Sequence, residues 1–282
     1  MQRIRLLPRE RIKRMRSKGK SIAIKIVFAA FLVILLVIEI LYRVKPFDED
    51  LYMLLSRSIG GGACLLFMIE FSFTRILSPI GNKRPLIWLL TIPGFIIAIN
   101  NFPFVSFFAG DCRVDASVGS VLYYALICLG TGFFEEMAFR GCAFMLLLKG
   151  RTQSKGKIFL AIALSSVVFG LVHFVNAFFG SSIGPVLLQI GYSALIGALC
   201  SVVLLLTRNI WLCVILHAAY NFCGGLIDNC GSGTQWTLGE IIFTAVVAVI
   251  VAVYFIVLFF KMPTSLADDI FAKKNEQTGE AE

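Results

Sequence analysis

Three short stretches of the sequence carry residues that could do chemistry: Glu135-Glu136 with Arg140, then His173, then His217 with Asn221. All lie in runs that are otherwise apolar. An ionisable group at the centre of a bilayer costs at least about 2.5–3.5 kcal/mol on insertion scales, and for that reason usually marks function. On a helix Glu136 and Arg140, four apart, share a face and can pair. Glu135 is turned by about 100° from them and remains a carboxylate aimed into a bundle. His217 and Asn221 are also four apart and share a face. A carboxylate withdrawn from bulk water can act as a general base, so Glu135 with His173 could hold and deprotonate a water. A peptide carbonyl attacked by that water develops an oxyanion, for which His217 and Asn221 offer two donors. This is peptide hydrolysis by an activated water, with no covalent intermediate. For Glu136 and Arg140 the alternative is a buried salt bridge that only fixes helix packing.

The elements that must hold these residues are membrane helices. The chain has 282 residues, of which 58% are hydrophobic and 15% charged. A soluble domain of this size could not hide so much apolar surface. A span needs roughly 20 apolar residues to cross about 30 Å of hydrocarbon. About eight such spans are expected, at 22–42, 51–71, 86–105, 118–148, 158–178, 186–206, 210–227 and 241–260. The expected fold is an all-α polytopic bundle over 22–260, preceded by a basic tail at 1–21 and followed by a polar, frayed tail at 261–282. Pro93 and Gly94 should kink the third span, and Gly130 and Gly132 should bend or break the fourth just before Glu135.

Charge sets the orientation. Nine of the Lys and Arg residues lie before Ser21, so the net charge of +9 argues for a cytoplasmic tail beside anionic lipid and not for nucleic acid. Counting from an inner N-terminus, the inner loops hold Arg75, Lys83, Arg84, Lys149, Arg151 and Arg208, while the outer loops hold mostly Asp and Glu. Both termini are therefore expected in the cytoplasm. The first apolar run lacks a small-residue cleavage site and reads as a retained anchor. Arg57, two turns into the second span, has Glu39 and Glu70 as candidate partners. The eight cysteines show no CxxC spacing. Cys112 and Cys230, both in outer loops, leave a disulfide open.

EExxxR at Glu135–Arg140, followed by Gly141, then FxxxH at Phe169–His173 and HxxxN at His217–Asn221, resembles the CPBP family. That family comprises type II CAAX prenyl endopeptidases and Abi-like bacteriocin-processing or immunity proteins. The resemblance covers residues 118–225, in motif order and spacing; the first three spans and the last are not diagnostic. It implies an eight-helix intramembrane endopeptidase of the glutamate type. By carry-over Glu135 is the base with His173 beside it, His217 and Asn221 form the oxyanion hole, and Glu136 and Arg140 support them.

No cofactor is expected. A glutamate and two histidines could make a zinc site of the His2Glu kind, but no HExxH is present. The expected partners are the lipid bilayer and a peptide or membrane-protein substrate, either prenylated or bacterial, and the expected location is a bacterial plasma membrane. Two other functions stay open. One is a catalytically inactive scaffold or immunity protein that binds a toxin or partner; against it, no motif position is substituted here. A proton-coupled transporter would use the same buried groups as a relay, but should show internal pseudo-symmetry, and no repeat is visible.

Overall fold

A computed structural model of the chain describes residues 48–178 and 181–271, with scattered positions between 22 and 42. The expected first span and the basic tail at 1–21 therefore lie wholly or largely outside the described residues. In chain order the helices are α1 (Glu49–Glu70), α2 (Pro85–Leu89), α3 (Ile92–Asn100), α4 (Phe104–Ala109) and α5 (Val118–Glu136). A π-helical stretch, Met137–Phe144, carries α5 on into α6 (Met145–Leu148). Then follow α7 (Lys155–Val172), α8 (Val175–Phe178), α9 (Ile183–Thr207), α10 (Ile210–Cys230), α11 (Leu238–Lys261) and α12 (Ser265–Phe271). The all-α class is as expected from the sequence; among the described residues the strands are two three-residue pieces, β1 (Cys112–Val114) and β2 (Gly231–Gly233).

Among the described residues six helices are long and apolar enough to cross a membrane. Their outward faces are apolar too: Leu122, Leu126, Val246, Val249, Ile250 and Val253 are each more than half exposed. Water does not tolerate such a continuous surface, and hydrocarbon does. The expected third span is instead two short helices. Pro93 enters α3 in its first turn, where its missing N–H costs nothing, and the chain breaks at Leu90-Thr91 just before it.

Caps fix where the helices begin. Asp48 accepts the Leu51 N–H at 2.8 Å, Ser117 accepts that of Ser120 at 3.2 Å, and Asn209 accepts those of Trp211 and Leu212 at 2.8 and 3.2 Å. Between α9 and α10 the reversal is made by Arg208, left-handed at φ 54°, and the Asn209 cap alone. Arg208 is anchored by an ion pair with Asp269 at 3.2 Å.

Sidedness can be read from the loops. Asn82 donates to the Leu206 carbonyl, Asn209 to Pro79 and Trp211 to Leu77, so the basic loop after α1 meets the α9–α10 reversal. The reversal meets α12 through Asp269, and α12 meets the loop before α7 through Gln153 and Asp268. The Lys- and Arg-rich connections thus share one face of the bundle. The opposite face carries the β1–β2 ladder, in which Cys112 is in register with Gly233. There the Ser232 hydroxyl and the Arg113 guanidinium hold the Asp115 carboxyl below the usual carboxylate range. The Glu240 carboxylate, fully buried, accepts the Val105 and Ser106 N–H groups at 2.7 and 3.2 Å.

Two expectations are corrected, and the disulfide left open between Cys112 and Cys230 is answered. Residues 265–271 are no frayed tail: α12 buries Leu266, Ala267 and Ile270 against the bundle. Cys112 and Cys230 are free thiols. Cys230 receives the Asp115 and Ala116 N–H groups, three ladder positions from Cys112. At 3.3 Å per residue that is roughly 10 Å, beyond the about 7 Å a disulfide can bridge. Lastly, Gly130 and Gly132 do not break the fourth span, because α5 runs unbroken to Glu136. Glycine there permits close packing. A Cβ on Gly132 would stand 2.9 Å from the Val214 carbonyl oxygen and 3.1 Å from the Ala218 nitrogen, so only glycine lets α5 come this near to α10.

Candidate functional site

The contact at Gly132 decides what faces what. One turn further along α5, Glu135 and Glu136 meet His217 of α10 from its two ends. His217 Nδ1 lies 2.7 Å from Glu136 Oε1, and Nε2 lies 3.5 Å from Glu135 Oε2. A carboxylate only accepts, so Nδ1 carries the proton it donates to Glu136. Nε2 is the nitrogen left for a reacting group. At 3.5 Å its approach to Glu135 is a contact and not a good hydrogen bond. The glutamates differ in exposure: the Glu136 side chain is 0% exposed and that of Glu135 13%.

Arg140 completes the inner layer. Its Nη1 is 3.0 Å from Glu136 Oε1, as the i,i+4 spacing predicts, with a side chain 1% exposed. The approach is an ion pair and not an aligned hydrogen bond, since Nη1, Nη2 and Glu136 Oε2 are buried without hydrogen-bond partners. The guanidinium lies over the face of Phe169, 4.4 Å from the ring centroid. Phe169 in turn meets His217 and His173 at 5.7 and 5.1 Å between centroids, both T-shaped. The π-helical stretch begins directly after Glu136. Such i→i+5 segments are rare inside helices and recur at functional sites.

The remaining candidates are placed as follows. His173 closes α7, with Nδ1 2.9 Å from the Phe169 carbonyl oxygen. A carbonyl also only accepts, so Nδ1 holds the proton and Nε2 is a free acceptor. Among the described residues His173 makes no ion pair or hydrogen bond with either glutamate. Asn221 lies one turn beyond His217 on α10, half-buried; its carbonyl accepts the Tyr124 hydroxyl at 3.2 Å, and its amide has no partner among the described residues. The structure therefore brings Glu135, Glu136, Arg140 and His217 into contact, with Phe169 joining His173 to them. Of the two candidate partners of Arg57, Glu39 lies outside the described residues; the guanidinium lies 5.3 Å over the Phe134 ring.

Sequence reasoning missed the second task of Glu136. Its i,i+4 partner was legible, but its grip on His217 depends on the Gly132 contact between helices far apart in the chain. Gly197 was missed as well. A Cβ there would lie 2.7 Å from Arg140 Nη2 and 3.3 Å from the Ser166 Cα, so its lack of a side chain makes room for the guanidinium. Gly197→Val is expected to cost about 1–3 kcal/mol by overpacking. Thermal unfolding in detergent checks this, with Gly191→Val as the control, because a Cβ on Gly191 meets nothing within 4 Å. An equal effect of the two would remove the packing argument.

Ligand-type atoms of His, Cys, Asp and Glu converge, among the described residues, at one group of three. It consists of Glu136, Cys200 and Cys213, whose atoms lie within 4.8 Å of one another. Glu135, His173 and His217 do not converge in this way.

Residues 117–223, little more than a third of the chain, match the family model described as Rce1-like, "Type II CAAX prenyl endopeptidase Rce1-like". The match contains every candidate residue named here, from Glu135 to Asn221. Comparison with curated proteins and with solved structures returned no match.

Proposed function

We propose, from the premise that residues 117–223 are an Rce1-like, type II CAAX prenyl endopeptidase segment, that this integral membrane protein is a glutamate-type endopeptidase. Glu135 is the general base. It takes a proton as a water attacks the scissile carbonyl, then passes it to the leaving amine as the C–N bond breaks. His173, with Nδ1 committed to the Phe169 carbonyl, offers Nε2 as a second acceptor for that water. His217 and Asn221 donate to the oxyanion, His217 through Nε2 once that nitrogen carries a proton. Glu136 fixes the ring of His217 through Nδ1, and Arg140 balances the charge of Glu136.

The observation that carries this reading is the Glu136–His217–Glu135 line. A histidine locked by one fully buried carboxylate turns its other nitrogen to a second, slightly exposed one. The loop charges favour an orientation with both termini inside, in what this reading takes to be a bacterial plasma membrane. The substrate class is a peptide or membrane-protein segment reaching the site from the bilayer, either a prenylated tail or a bacterial precursor such as a bacteriocin.

The test is cleavage of a peptide panel, with and without prenyl-cysteine, by the full-length protein in detergent and in liposomes. Turnover of at least one peptide is expected. Asn221→Ala should lower it by about 10²–10³ with KM little changed, since an oxyanion donor acts in the transition state. A full-rate Asn221→Ala enzyme would remove Asn221 from the oxyanion hole. Silence across the whole panel in both media would count against the protease.

A further inference from the structure

We propose that Glu136, Cys200 and Cys213 form a structural site for a thiophilic divalent metal ion, zinc above all, tying α5, α9 and α10 together. The three side chains come from three helices, and their ligand atoms lie within 4.8 Å of one another. All three residues are 0% exposed. Arg140 and His217 both engage Oε1 of Glu136, which leaves Oε2 without a hydrogen bond among the described residues. Cys213 donates weakly to the Cys200 and Asn209 carbonyls, at 3.3 and 3.9 Å. Glu136 Oε2 is buried with no hydrogen-bond partner among the described residues. A desolvated carboxylate oxygen without a partner is costly, and a bound cation is one of the few things that would satisfy it.

The donor set selects the ion. Two thiolates and one carboxylate suit borderline-soft zinc and not the oxygen-seeking magnesium or calcium. Charge selects the same ion. Two thiolates and Glu136 bring three negative charges, and a divalent ion with the Arg140 guanidinium brings three positive ones. A monovalent ion would leave one uncompensated negative charge in the driest part of the molecule. Each thiol loses its proton on binding, so loading releases two protons and belongs to folding, before the helices close.

This site is separate from the one that activates water. His217, bonded to Glu136 Oε1, becomes an outer-shell partner of the metal. Stripping the metal would therefore loosen His217 without touching Glu135. Chelator sensitivity of the activity would then mark a structural ion and not a metal-bound nucleophile.

The experiment is metal analysis of the full-length protein purified in detergent from zinc-supplied cells. About one zinc per chain is expected in the wild type, with bound metal falling at least about tenfold in Cys200→Ser with Cys213→Ser. Cys64→Ser with Cys142→Ser should keep its zinc, and so should Glu135→Gln and His173→Ala. A second readout needs no variant: the wild-type protein produced in cobalt should show an intense near-ultraviolet thiolate-to-cobalt band. Wild type that holds neither zinc nor a cobalt–thiolate band would overturn the site. So would zinc that survives in Cys200→Ser with Cys213→Ser but leaves in His173→Ala.

Discussion

Glu135→Gln is expected to lower peptide turnover by about 10²–10⁴-fold, the range a positioned general base contributes. Its fold should be untouched. Glutamine has the same shape, and Glu135 is the more open of the two glutamates, with a 3.5 Å contact to His217 Nε2 as its polar approach among the described residues. Glu136 and Arg140 would still hold the ring of His217 from its other end. The measurement pairs initial rates with thermal unfolding in the same detergent. A large loss of rate with an unchanged midpoint assigns the base. Retained turnover would sink the assignment and with it the mechanism. A shared loss of rate and midpoint would instead make Glu135 a structural residue.

Arg140→Ala should show the opposite profile, a loss of stability of about 3–5 kcal/mol, because removing one member of a buried ion pair strands the other. Three things go together in this variant. Glu136, 0% exposed, loses the cation 3.0 Å away. Phe169 loses the guanidinium stacked on its face. The space beside Gly197, which that guanidinium occupies, becomes a void. Unfolding in detergent should record the loss, and any drop in turnover should follow the folded fraction. Normal stability with abolished turnover would mean that Arg140 acts on the reacting groups directly.

Much of this was legible in the sequence, for physical reasons. Hydrocarbon thickness fixes span length, so apolar runs announce α1, α5, α7, α9, α10 and α11. Local spacing announces contacts along one helix, and Glu136–Arg140 is such a contact. Contacts between helices are another matter. That His217 is held by Glu136 depends on how near α5 comes to α10, and Gly132 sets that distance. In a sequence, a glycine inside a helix reads as a bend or as a close approach with equal ease, and here the bend was the wrong choice. The same holds for Cys200 and Cys213, which are ordinary apolar-span cysteines until packing sets them beside Glu136. The polar composition of 261–282 concealed α12, whose buried face is only the three residues Leu266, Ala267 and Ile270.

The π-helical stretch acts as a phase adjuster. Ahead of it, α5 must point Glu135 and Glu136 towards α10; behind it, Met145 and Leu148 must point into the core, where both are 0% exposed. A regular α-helix of the same length would satisfy one half and rotate the other away. Winding the same residues at regular α pitch would turn all that follows by about 100°, one residue's worth, whereas deleting one residue would absorb the bulge and leave the two halves in phase. The pitch of the chain between the paired glutamates and Leu148 is therefore as much a part of the site as the side chains themselves.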